Sequence, residues 1–284
     1  VRVLDDYSRG IPMRLKDLEG KIETIQGDVC IYDDVSKATK DIEVVWHLAA
    51  VNGTENFYNR PERVLEVGVK GSMHTMDAAI EHGCKRYILA SSSEVYQTPT
   101  HVPTKEDERI IIPDVQNPRY SYSGGKIVGE LLALHYLAKK GPEALVFRPH
   151  NIYAADMGNE HVIPQFVRRL KELKAQSDAE TLTFPIQGDG SQTRAFCYIS
   201  DMIDGLLLLQ EHGKSGEIYH IGTNEEVTIA DVAHGIAAAM GTSIDIQTGD
   251  EPAGATPRRS PDIGKMAALG YSPKVNLEEG LKRT

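Results

Sequence analysis

Tyr122-Ser-Gly-Gly-Lys126 is the stretch of this 284-residue chain with the plainest capacity for chemistry. On a helix, residues four apart lie on one face a turn from each other, so the phenol and the ammonium become neighbours. A tyrosine hydroxyl ordinarily titrates at about 10, too high for a base at neutral pH. A nearby Lys⁺ favours the phenolate, and such a pair can take the proton of an alcohol while its carbon is oxidised. The same spacing is common in surface pairs, so its meaning rests on context. That context lies upstream, where Ala90-Ser-Ser-Ser-Glu-Val-Tyr96 closes an apolar run. A hydroxyl from Ser91, Ser92 or Ser93 at such a strand end can hold the oxygen that the tyrosine deprotonates. Serine-rich loops are frequent, and each serine singly is also an ordinary loop residue.

The elements that must position these groups are legible as alternating short apolar runs and amphipathic stretches, the pattern of βα units around a parallel sheet. Strands are expected at residues 1–5, 23–26, 44–48, 86–90 and 144–148, with helices at 35–40, 62–81 and 120–139. Gly83 stands where a helix C-terminal glycine belongs. The expected fold is α/β, a Rossmann-type doubly wound parallel sheet over about residues 1–150. Beyond that point the elements shorten, with Pro and Gly at the joins. Residues 151–284 read mainly as a smaller substrate-binding subdomain, with a segment at about 189–215 returning to the sheet. Ser200 or Asp201 is expected to cap a helix running through Leu209, and Thr228 another running to about Met240.

In such a fold, the acid ending the second strand accepts hydrogen bonds from the adenosine ribose of a dinucleotide and repels a 2′-phosphate. Asp5, after Val-Arg-Val-Leu, fits that place and favours NAD over NADP, although an acid after a strand also serves as a plain turn residue. An earlier strand and a glycine-rich, pyrophosphate-holding turn are then required. None lies in this chain, which opens at Val1 inside a strand. The missing piece is roughly one βα unit, about 20–30 residues. Gly27-Asp28-Val29 and Leu48-Ala49-Ala50 end the next strands. Their small residues suit the close approach of adenine and pyrophosphate, with ordinary strand-end turns as the alternative.

Bulk properties narrow the field. Hydrophobic residues at 40% and charged residues at 25% are those of a globular protein. A formal charge of −10 speaks against a nucleic-acid surface, so a polyanionic ligand must be held by a few placed cations and backbone amides. Cys30, Cys84 and Cys197 are odd in number, widely spaced and set among apolar residues, which reads as reduced thiols in a cytoplasmic protein. No metal-ligand spacing is seen among the histidines, and His47, His101 and His150 receive no role. No apolar run reaches membrane-spanning length, and no signal peptide opens the chain.

Taken together, these motifs resemble the NAD-dependent epimerase/dehydratase family of extended short-chain dehydrogenases/reductases. Further along, the resemblance is carried by Arg148-Pro-His-Asn151, Gly188-Asp-Gly-Ser-Gln-Thr-Arg194 and Arg258-Arg-Ser-Pro-Asp-Ile263. It implies Tyr122 as base, Lys126 as its partner and nicotinamide-ribose ligand, and Ser92, with Ser93 beside it, as the hydroxyl at the reacting sugar. It also implies Asp5 on the adenosine ribose, Asp28 and Val29 on the adenine, and Leu48, Ala49 and Ala50 along the dinucleotide. Asn151, Arg194 and Arg259 would meet the diphosphate of a nucleotide sugar, a task suited to the guanidinium fork. Gly68 departs from the pattern, since related epimerases often carry Asn there. Family chemistry begins with oxidation at sugar C4 and continues to epimerisation, dehydration or decarboxylation. Glu94 tilts the expectation toward the latter two, because a carboxylate near C5 can remove the proton that a 4-ketone acidifies; a plain pairing role is the alternative. A non-catalytic dinucleotide sensor and a reductase of a small ketone are the competing readings. The first lacks the expected loss of the tyrosine or lysine, and the second leaves Arg194 and Arg259 nothing to bind. A homodimer is implied through helices 62–81 and 120–139, with Ala78, Ala79, Leu131, Leu132 and Leu134 as apolar surface, packing of the same residues against the sheet being the alternative.

Overall fold

The computed structural model describes residues 1–158, 161–177, 179–250 and 256–284. In chain order its elements begin with β1 (Arg2–Asp5), β2 (Glu23–Gln26), α1 (Tyr32–Thr39), β3 (Val44–His47), α2 (Thr54–Asn59), α3 (Pro61–Leu65), α4 (Ser72–Glu81), β4 (Arg86–Ala90), α5 (Ser121–Leu131) and β5 (Glu143–Pro149). They continue with β6 (Ile152–Tyr153), α6 (Val162–Gln176), β7 (Thr181–Pro185), β8 (Thr193–Ala195), β9 (Cys197–Tyr198), α7 (Ile199–His212) and β10 (Ile218–Ile221). The last are β11 (Glu226–Thr228), α8 (Ile229–Ala239), β12 (Ser243–Gln247), β13 (Arg258–Arg259), α9 (Gly264–Ala267) and α10 (Leu277–Arg283). Two compact units result. Residues 1–95, 112–147 and 213–218 form the first, and 96–111, 148–212 and 219–284 the second.

In the first unit, β3, β4 and β5 run parallel, with Val44 opposite Arg86 and Arg86 opposite Glu143. Helices shield these strands, so they are apolar on both faces rather than alternating. Tyr87, Ile88, Leu145, Val146 and Phe147 are all fully buried. β1 and β2 pair parallel, Arg2 opposite Glu23, as a separate two-stranded sheet. Residues 213–218 join this unit by main-chain pairing: Gly216 N–H donates to Ala144 O at 2.8 Å, and Val146 N–H to Glu217 O at 3.2 Å. The remainder of the segment expected to return, 189–212, lies in the second unit.

The two long helices of this unit each contain one wider π turn. Glu66–Gly71 joins α3 to α4, and Leu132–Leu137 extends α5. At the first of these, Gly68 lies against α5 so closely that an added Cβ would sit 3.5 Å from the Gly125 Cα. Small residues at the crossing thus bring two helix backbones together. Gly83, at φ +65°, closes α4 in the left-handed conformation that glycine adopts at no steric cost. Ala78 and Ala79 are fully buried, Ala79 packing in the core with Met76, Tyr87 and Leu137, so neither offers the dimer surface expected of them. Leu132 and Leu134 are half-buried against that core, and Leu131 is 54% exposed.

The second unit holds the sheet β11-β8-β13 and the parallel pairs β7–β12 and β6–β9. Its core gathers Tyr153, Phe166, Leu170, Phe184, Val232 and Ile236, with the Phe166 and Phe184 rings edge to face. Residues 96–111 belong here because Thr104 N–H donates to Ser260 O (2.8 Å) and Thr104 O accepts from Asp262 N–H (2.7 Å). Helix α7 starts at Ile199, so Ser200 and Asp201 stand inside its first turn rather than ahead of it. The buried Asp201 carboxylate instead accepts the Val275 N–H at 3.0 Å. Thr228 caps α8 as expected, in a reciprocal box: Asp231 N–H donates to the Thr228 hydroxyl (2.9 Å) and Thr228 N–H to the Asp231 carboxylate (3.0 Å). Thr228→Ala should therefore cost about 1 kcal/mol, read as a lower urea midpoint with unchanged slope. An unchanged midpoint would show that the box adds nothing.

Candidate active site

In the first unit the sequence-derived residues collect at the C-terminal ends of the parallel strands, where open α/β sheets bind ligands. Asp5 ends β1. Its Oδ1 accepts the Tyr7 N–H at 2.7 Å, and an added Cβ on Gly10 would come within 2.8 Å of the same oxygen, so the loop wraps the carboxylate closely. Asp28 and Val29 follow β2. The Asp28 carboxylate accepts the Cys30 N–H on Oδ1 (2.8 Å) and the Arg63 guanidinium on Oδ2 (2.7 Å). Partial burial works to raise this carboxyl, but the Cys30 N–H and Arg63 outweigh it and hold it below its usual range. Leu48, Ala49 and Ala50 follow β3, with Leu48 exposed and the alanines half-buried. Arg9 donates to Asn52 O at 3.2 Å and so links the loops after β1 and β3.

Ser92, Ser93 and Glu94 follow β4, both serines buried and Glu94 half-buried. A short 3-10 turn, Ser93–Tyr96, turns the chain here, and Ser92 Oγ accepts the Glu94 N–H at 3.1 Å. Opposite, α5 carries Tyr122 and Lys126 as the spacing requires. The Lys126 ammonium is buried and donates to Ala90 O at 2.7 Å, the last carbonyl of β4, and lies 5.7 Å from the Tyr122 ring centroid. Burial pulls Lys126 down to about 8, with Glu130 opposing. Tyr122, half-buried, stacks on Phe57, ring centroids 5.2 Å apart. Burial pushes its hydroxyl up to about 12; Ser92 and Arg9 lower it, and the Glu94 charge raises it. The expected lowering by Lys⁺ is thus outweighed within the protein: desolvation dominates, and the ammonium is spent on a backbone carbonyl. Ser91 donates to the buried Glu130, a second tie between the end of β4 and α5.

In the second unit, Arg194 on β8 and Arg259 on β13 are register partners on adjacent parallel strands, so both arise from the same face of the sheet. Asn151 joins them through a hydrogen bond from its side-chain amide to Ala195 O (3.3 Å) and adopts φ 44°, a left-handed conformation that asparagine tolerates. His150, beside it, is buried, and neither ring nitrogen finds a hydrogen-bond partner among the described residues. Burial, then the charges of His220, Arg259 and Arg148, hold its ring neutral. His47 shares a hydrogen bond with Ser72 (3.1 Å), and the exposed His101 meets Glu108 (2.9 Å). Sequence reasoning missed Phe57, Arg9 and Arg63, whose contacts span distant segments and leave no local spacing signal.

The described residues hold no cluster of His, Cys, Asp and Glu able to bind a metal ion and no helix long and apolar enough to cross a membrane. The model of the NAD dependent epimerase/dehydratase family matches residues 1–222. UDP-glucuronic acid decarboxylase 1 of Danio rerio is 32% identical over the whole chain, which spans 65% of that protein, just under two thirds of its length. UDP-N-acetyl-alpha-D-glucosaminuronate decarboxylase of Bacillus cytotoxicus is 30% identical, again over the whole chain and 88% of its own length. The dTDP-glucose 4,6-dehydratase DesIV of Streptomyces venezuelae, solved with NAD bound, superposes with a TM-score of 0.86 at 25% identity, covering all of this chain and 85% of the other.

The buried ammonium gives a signed pH dependence. Lys126 titrates at about 8 in the folded chain and at about 10.5 unfolded. Below pH 8 its charge is buried at a cost; between those values the unfolded chain binds the extra proton, so stability rises with pH. Lys126→Met should be more stable than the parent at pH 7, by a margin that shrinks from about pH 8 to 10.5. Urea melts across that range check it, and a margin constant with pH would contradict it.

Proposed function

The chain belongs to the NAD dependent epimerase/dehydratase family, and from that premise we propose that it is an NAD-dependent nucleotide-sugar enzyme. Its reaction begins with oxidation of the sugar at C4 and continues to loss of carbon dioxide or water. One observation carries this reading: Tyr122, half-buried and stacked on Phe57, stands one helix turn before the buried Lys126, whose ammonium donates to the last carbonyl of β4 beside Ser92.

Lys126 has three N–H donors and spends one on Ala90 O, leaving two for ribose hydroxyls, so the site suits a nicotinamide ribose. Asp5 would hold the adenosine ribose, Asp28 and Val29 the adenine, and Leu48 to Ala50 the stretch between. Bound there, NAD⁺ would supply the acceptor for the C4 hydride, and its reduced form the donor that returns it. Ser92 holds the C4 oxygen, and Tyr122 takes its proton as that hydride leaves. A hydroxyl raised to about 12 must first give up its own proton to act as base, and the positive nicotinamide ring beside it, with the Lys126 ammonium, would favour that phenolate.

Once C4 is a ketone, a C6 carboxylate becomes the acid group of a β-keto acid and leaves as carbon dioxide, its bonding pair passing into the C4 enolate. With no carboxylate at C6, Glu94 removes the C5 proton, the freed pair forms the C5–C6 double bond, and the C6 hydroxyl departs with that proton, returned by Glu94, as water. The decarboxylase names of the two relatives favour the first course. Arg194 and Arg259, rising side by side from adjacent strands, suit a diphosphate, and Asn151 stands next to them. The setting is cytoplasmic and the assembly a homodimer, formed through the exposed Leu65, Val128 and Leu131 of the two long helices.

The test is the product mass from full-length protein given NAD⁺ and a panel of nucleotide sugars and uronates. Loss of 44 mass units, about that of carbon dioxide, or of water, about 18, supports the proposal; Tyr122→Phe should lower either rate by about 10²–10⁴-fold. An unchanged mass with altered stereochemistry would show an epimerase. No turnover with NAD still bound would favour a non-catalytic sensor.

A further inference from the structure

Arg63 lies on α3, outside every motif, yet it gathers the acidic groups at the ends of two neighbouring strands. Its Nη2 donates to Asp28 Oδ2 at 2.7 Å and to Asp6 Oδ2 at 3.3 Å. Its Nη1 donates to Glu66 Oε2 at 3.0 Å and lies 3.4 Å from Cys30 Sγ. The side chain is only 19% exposed, which favours these hydrogen bonds over exchange with water. Asp6 follows β1 and Asp28 follows β2, so one guanidinium ties two strand ends to a helix. It is also the shared cation for three carboxylates, which would otherwise repel one another.

We propose that Arg63 is a positioning residue that sets the Asp28 carboxylate to read the amino group of the cofactor's adenine, an inference that rests on the reading of Asp28 as the adenine contact. With Oδ2 held by Arg63 and Oδ1 by the Cys30 N–H, the carboxylate plane cannot rotate. Its remaining lone pairs therefore have fixed directions, and an ionised carboxylate only accepts. An exocyclic amine on the purine satisfies it. A carbonyl oxygen in the same place meets it as acceptor against acceptor. Without Arg63 the carboxylate turns about its bond to Cβ and is pushed outward by Asp6, and the discrimination is lost.

The probe is nicotinamide hypoxanthine dinucleotide, which carries oxygen where NAD carries the purine amine. Dissociation constants for both dinucleotides are measured on the full-length protein and its variants, with circular dichroism confirming that each folds. The parent should prefer NAD by about 10–100-fold, the value of one hydrogen bond to a charged group. Arg63→Met should reduce the preference to about threefold or less. Arg63→Lys keeps the charge but not the fork, and should give an intermediate ratio; it carries the test if the methionine variant does not fold. A merely structural arginine would weaken both dinucleotides alike, and an unchanged ratio in the Arg63 variants overturns the proposal. Asp28→Asn separates the two layers. If it abolishes the preference while Arg63→Met keeps it, the positioning role alone fails. If the preference survives in both, or the parent shows none, the adenine assignment of Asp28 fails and the positioning role with it.

Discussion

The ammonium of Lys126, buried and donating to the last carbonyl of β4, is the interaction on which the candidate site depends. A charge removed from water must be met by polar groups or it abandons its proton. Here the Ala90 carbonyl meets it, and Glu130 lies close enough to favour the charged form. The bond fixes α5 over the end of β4 and thereby sets the height at which Tyr122, one turn earlier, faces Ser92. Close packing makes this possible. A Cβ on Gly129 would lie 3.5 Å from a Leu89 methyl, and one on Gly125 would lie 3.6 Å from the Gly68 Cα. Bulkier residues along that face would lift the helix from both neighbours and move the tyrosine with it.

The second unit reaches its own arrangement by a different device. Arg194 and Arg259 come from strands of only three and two residues, yet the parallel register of β8 and β13 sets them side by side. Arg194 donates to Thr193 O at 2.7 Å and Arg259 to the Thr256 hydroxyl at 3.4 Å, so each guanidinium is also tied to its own surroundings. The left-handed backbone of Asn151 holds its amide on Ala195 O, the next residue along β8 from Arg194. These polar groups thus stand on short, cross-linked strands rather than on long loops.

Much of this was legible in the sequence because β3, β4 and β5 are built on apolar runs: β4 falls as expected and β3 and β5 within two residues, while β1 and the mostly exposed β2, outside that sheet, also lie within one residue of their expected bounds. The Thr228 box was equally plain, since its two partners lie three residues apart. Other features left no such mark. The π turns at Glu66–Gly71 and Leu132–Leu137 keep the helical pattern of apolar residues, so periodicity cannot separate them from α-helix. The membership of residues 96–111 in the second unit is decided by Thr104 pairing with residues more than 150 positions away. Arg63 is a surface-like residue in sequence and becomes a hub only when β1, β2 and α3 meet. The response of Tyr122 depends on burial, a tertiary quantity, and burial outweighs the neighbouring lysine that spacing alone brings into view.

The claim that Tyr122 takes a proton as C4 is oxidised is tested most directly by stopped-flow absorbance of the reduced cofactor during a single turnover. The substrate would be a UDP-hexuronate carrying hydrogen or deuterium at C4. Reduced cofactor should rise and then fall as product forms. Deuterium at C4 should slow the rise, and Tyr122→Phe should all but remove it while NAD remains bound. Product formation with no rise and no deuterium effect, or an undiminished rise in Tyr122→Phe, would contradict the account.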